Sequence, residues 1–207
     1  MSVLDSNVLF ALPQSSFPPL AVGFFGLGTG YLIYGTQELF DYPKRDERVD
    51  LATGIWGIWM PGFMQFFAGV YLFAGLALFG TFKTPALYMA ALAFTAYGVH
   101  WFAIGWNRLH RADPRVNVGM AFAFTLISIL GIIVFFSAGD HPVGGVFIGL
   151  TCVYVADFFA SFGSDLARIS APAERALGFF RIGTALWLMY LTFAVALNFV
   201  LGYTLPV

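Results

Sequence analysis

Charged side chains are what this chain has least of. They make up 10% of its 207 residues, against roughly a quarter in a water-soluble domain. That deficit excludes an ordinary soluble surface. With 59% hydrophobic residues, 19% aromatic residues and a mean hydropathy of +0.81, the solvent it points to is lipid. The formal net charge of −1 leaves no basic tail for nucleic acid. Cysteine is nearly absent: Cys152 stands alone in an apolar segment, which excludes an internal disulfide and any cysteine-cluster metal site. Catalytic signatures are missing as well, with no G-x-S-x-G, H-E-x-x-H, P-loop or dinucleotide fingerprint. His100, His110 and His141 fall on different elements without haem or metal spacing, so no cofactor is expected. A small-solute transporter or channel, a membrane enzyme and an accessory subunit are the classes left, the enzyme being the weakest. The start, "MSVLDSNVLFALPQSSF", has no basic n-region and reads as a mature N-terminus.

What is present is length of apolar run. About 20 apolar residues cross the hydrocarbon, and six stretches qualify: 18–37, 51–80, 84–106, 116–137, 142–163 and 173–202. The expected fold is all-α, a single polytopic domain over 1–207, its second and sixth spans long enough to tilt or project. Basic residues gather in alternate connections. Lys44, Arg45, Arg48, Arg108, Arg111, Arg115, Arg168, Arg175 and Arg181 lie on one side and Lys83 on the other. Short basic loops are cytoplasmic, so both termini are expected outside. "PGFMQFFAGVYLFAGLALFG" (61–80) and "VGGVFIGLTCVYVADFFASFG" (143–163) match at six positions with an offset of 83. That pattern suits a 3+3 inverted repeat, the arrangement that places transporter sites near the midplane.

Within the spans, Gly26/Gly30 and Gly145/Gly149 have the spacing that lets helix backbones approach closely. Pro61 and Gly62 weaken one turn of the second span, where a helix break or kink is expected. Gln65, one turn on, either satisfies a carbonyl freed by the proline or lines a polar path. His100 and Asp157 are ionisable residues at one depth, in the basic-side third of the membrane. Such groups face the protein interior or water, and two readings stand: a mutual pair that forms a proton site, or separate structural roles.

"GIWGIWMPGFMQFFAG" (54–69) resembles the second helix of the acetate uptake transporter family, the bacterial and yeast acetate/succinate permeases. "PPLAVGFFG" (18–26), "AFTAYGVHW" (93–101) and "YLTFAVALNFVLGYTLP" (190–206) are similar to its first-helix, third-helix and last-helix segments. Departures are Ser16 and Phe17 where the family has Asn-Pro, and Val195 where it has a last-helix acid. The resemblance implies a pore constriction at Phe25, Tyr97 and Leu150. It also implies a homo-oligomer, a hexamer by analogy, and cytoplasmic termini, against the charge count. The implied solute is a short monocarboxylate such as acetate, with or without proton coupling. The spans show no Lys or Arg at mid-depth, which suggests no permanent anion site. "GVYLFAGLALFGTFKTPALYMAALAF" (69–94) is also similar to the acid-gated urea channels and amide transporters, so urea or a short amide is the alternative solute.

Overall fold

The computed structural model describes residues 17–207; Ser16 and the residues before it lie outside the described residues. Six long helices follow one another: α1 Phe17–Phe40, α2 Glu47–Leu78, α3 Ala86–His110, α4 Asn117–Ser137, α5 His141–Ala160 and α6 Ala167–Leu201. Five elements are long and apolar enough to cross a membrane: α2, α3, α4 with its leading turn, α5 and α6. α1 is 24 residues long. It is shielded by α2 and α6, which pack on it. The expected all-α polytopic fold is therefore observed.

Helix ends follow local chemistry. Asp46 caps α2 by accepting from the amides of Arg48 and Val49, and Glu47 and Asp50 place negative charge in its first turn. Asp140 caps α5 through the Val143 amide. Desolvation raises the Asp140 carboxyl above its ordinary pKa, the Val143 amide opposing. Gly202, with φ at 71°, ends α6 in the left-handed conformation that glycine adopts without a Cβ clash. On the basic side, Arg115 donates to Asp113 and, at 3.2 Å, to Asp165, tying two connections together. Hydrogen bonds from Arg115 hold Asp113 down at about 2.

α1 and α6 run antiparallel in close contact. A Cβ on Gly178 would lie 2.6 Å from Leu39 N and 2.8 Å from Gly35 O. Gly26 and Gly30 seat Met60, Met64 and Pro61 of α2, and Gly149 seats Thr184 of α6. The glycine spacing read from sequence therefore acts in helix packing. Large apolar side chains point outward, among them Trp59, Phe63 and Phe67 on α2 and Phe122, Leu126 and Ile133 on α4. In water this surface would be costly, and in lipid it is the expected one.

The break expected at Pro61 is not a break. α2 widens into a π-helical turn over Ile58–Phe63 and continues as α-helix over Met64–Phe73, closing with a second π turn over Ala74–Leu78. Proline has no N–H to give, and the wider turn carries it without ending the helix. α5 is continuous α-helix over His141–Ala160, so the π turns have no counterpart at the matched offset.

Candidate functional site

Two cavities enter the bundle from opposite ends. The one on the side of Lys83 has about 250 Å³ and apolar walls from α1, α3, α5 and α6, including Phe24, Phe94, Tyr97, Phe147, Leu150 and Val195. The one on the basic side has about 450 Å³ and is lined by Glu38, Asp50, Arg108, Asp157 and Arg181 among others. They share no lining residue.

Between them four helices supply the same kind of step. On α1 the lining passes from Leu27 to Tyr34, on α3 from Tyr97 to Ile104, on α5 from Leu150 to Asp157, and on α6 from Leu188 to Arg181. Seven residues of α-helix rise about 10 Å. Tyr31, His100, Trp101 and Tyr154 fill that interval, all buried. Tyr97 and Tyr154 stack at 5.6 Å between centroids, and the His100 ring lies 4.7 Å from Phe124. The hydroxyl of Tyr97 pairs with Ser128 at 2.9 Å, and that of Tyr154 with His100 Nδ1 at 3.2 Å. The partition is a stack of rings tied by these two hydrogen bonds, with Tyr31 Oη and Trp101 Nε1 unpartnered.

Gln65 answers the question left open in the sequence. It is 1% exposed, it lines the apolar cavity, and neither Oε1 nor Nε2 has a hydrogen-bond partner. It therefore satisfies no carbonyl freed by Pro61. An unpaired buried amide costs about 1–3 kcal/mol, and here both of its polar atoms are unpaired. Pro61 itself is buried against Gly30, and Gly62 against Phe102, so both shape the helix crossing and neither lines the cavity.

Of the expected constriction, Tyr97 and Leu150 line the apolar cavity, each 2% exposed. Phe25 does not. It is 42% exposed on the outer face of α1, and its neighbour Phe24, 5% exposed, lines the cavity and packs against Phe94 at 5.7 Å. One residue along a helix is a rotation of about 100°, enough to exchange the two faces.

His100 and Asp157 are both buried, but they do not meet. His100 pairs with Tyr154 and stays in the partition, its Nε2 unpartnered. Asp157 faces the basic vestibule and accepts from Ser161 at 3.3 Å, one turn on. The helices also hold charge, Glu38 and Arg108 just beyond the ends of the expected spans and Arg181 within the sixth, towards its basic-side end. Arg181 is buried and pairs with Glu38 across α1 and α6. Arg108 lies 4.0 Å over the Tyr34 ring, donating to Gln37 and to Thr53. The close α1–α6 contact at Gly35 and Gly178 sets Glu38 opposite Arg181. Those two small residues are the signal that could have placed the pair.

No protein-family model matches the chain, and no curated protein matches it in sequence. In three dimensions it is similar to the solved structure of the bacterial acetate channel SatP. The TM-score is 0.72 at 18% identity, over 91% of this chain and 97% of that one. At that identity the likeness shows the fold, along nearly the whole length of both chains.

Proposed function

We propose that this protein is an integral, multi-pass cell-membrane passage for short monocarboxylates, with acetate as the solute. The observation that carries the reading is the unpartnered amide of Gln65 in the wall of a largely apolar cavity, whose other polar lining residues are Thr84, Tyr97 and Asp140. Sharing its fold with an acetate channel supports it. A carboxyl group needs one donor and one acceptor, and an amide offers both. The apolar walls suit a methyl group and reject a hydrated ion. Weak, transient binding of this kind is what fast passage requires. The passage is narrowed by Phe24, Tyr97 and Leu150 and closed below them by the ring stack. Moving a solute, with no bond made or broken, is the whole of the activity.

The protomers assemble as a symmetric homo-oligomer, a hexamer by the family analogy. The broad apolar faces of α2 and α4 supply surface for that contact. The termini lie outside, on the strength of the basic loops. Coupling to protons runs through Asp157 in the basic vestibule, because Val195 leaves the apolar cavity without the family's acid.

Purified protein in liposomes, loaded in turn with labelled acetate and labelled urea, tests the reading. Acetate flux above that of empty liposomes is the expected result. Urea alone crossing would assign the amide to a neutral solute, and neither crossing would leave an accessory subunit.

A further inference from the structure

The Glu38–Arg181 pair stands at the deep end of the basic vestibule, and the passage proposed above gives it no task. Both side chains are buried, 9% and 5% exposed. Arg181 donates to Glu38 through Nη1, while Arg181 Nε and Glu38 Oε2 are buried without partners. A guanidinium has five N–H donors and takes a carboxylate best through two parallel bonds. This one is held through one nitrogen. The rings of Tyr31, Tyr34 and Trp101 each lie 5.8 Å from the guanidinium carbon, a setting that holds a cation without neutralising it. Among the described residues Glu38 is the one carboxylate in ion-pair contact with Arg181. Asp157 lines the same vestibule without joining the pair.

We propose that Arg181 is a binding site for a short carboxylate anion arriving from the basic-side vestibule, with Glu38 as a built-in competitor that the ligand displaces. The ligand's identity rests on the monocarboxylate reading; the site's chemistry rests on the unfilled donors of Arg181. Resident Glu38 keeps the buried cation compensated when no solute is present. It also keeps solute affinity low, because each arrival replaces an existing ion pair.

Titration of the solubilised full chain with ¹³C-acetate at neutral pH, followed by NMR, tests the site directly. In the unmodified protein, binding saturates and is displaced by propionate but not by acetamide, which has the shape without the charge. Glu38→Gln lowers the half-saturation concentration about tenfold, the scale of one charge-assisted hydrogen bond. Glu38→Gln combined with Arg181→Gln removes both charges at nearly constant volume and abolishes saturable binding. Displacement of acetate by acetamide from the unmodified protein would overturn the site, and that measurement needs no variant to fold. So would a Glu38→Gln protein that binds no tighter, or a double variant that binds as the unmodified protein does. Flux separates the two ideas: saturable carboxylate binding without acetate transport keeps the site and removes the transport reading. Transport without such binding does the reverse.

Discussion

Gln65 is the residue on which stability and function pull in opposite directions. Its amide is buried with both polar atoms unpaired, so replacing it with a leucine of similar size removes a desolvation penalty of about 1–3 kcal/mol. Gln65→Leu should raise the melting temperature in detergent while lowering acetate flux several-fold. A variant that loses both would make the amide structural. Phe24 and Phe25 form a second contrast. Phe24→Ala should enlarge the cavity and admit longer acids such as butyrate, whereas Phe25→Ala, on the outer face, should leave solute selectivity unchanged in the same liposome assay. Asp157 carries the proton prediction. It faces Arg181, Glu38, Arg108 and Glu174 around the vestibule, with Ser161 as its hydrogen-bond partner. Asp157→Asn should abolish the pH dependence of acetate uptake and keep downhill exchange; an unchanged pH profile would describe a passive channel. Gln65, Tyr97 and Leu150 were legible as residues that line the apolar cavity because a lone amide in an apolar run and a motif register both survive in a linear string. Phe24 was not, since a one-residue error in register turns a side chain through about 100°.

At the scale of the element, α6 contains its own control experiment. Gly178 is pressed against the backbone of α1, and a Cβ there would meet Leu39 N at 2.6 Å, which cannot move aside as a flexible side chain would. Gly183 has nothing within 4 Å of the same position. Gly178→Ala should destabilise by about 1–3 kcal/mol through overpacking. Gly183→Ala should stabilise by about 0.5–1 kcal/mol through reduced backbone entropy. Thermal unfolding in detergent should move in opposite directions for the two, and equal shifts would contradict the packing described for α1 and α6. Helix positions were readable because hydrophobic length has a physical scale, the bilayer. The Glu38–Arg181 pair was not readable. α6 runs 35 residues, or about 52 Å, and Arg181, counted with the basic loops though inside the expected sixth span, lies well inside that helix. The π turn at Pro61 was half readable, since proline announces a disturbed ladder but not whether the helix breaks or widens.

For the whole molecule, orientation and assembly follow from surfaces that no single helix defines. The proposed insertion direction rests on nine basic residues against one. A reporter fused after Val207 should be active outside and silent in the cytoplasm; the reverse would favour the orientation implied by family resemblance. Mass measurement of the detergent complex should give a multiple of 22.7 kDa, six copies being the expected number, and a monomer would remove the assembly. The stack of rings between the two cavities bears on the energy supply of a cell. A continuous thread of water through so small a protein would leak charge, and each elementary charge falling through 100 mV dissipates about 2.3 kcal/mol. With Tyr31, His100, Trp101 and Tyr154 packed across the bundle, no such thread joins the two cavities, so the acid passage proposed above need not run down the membrane potential.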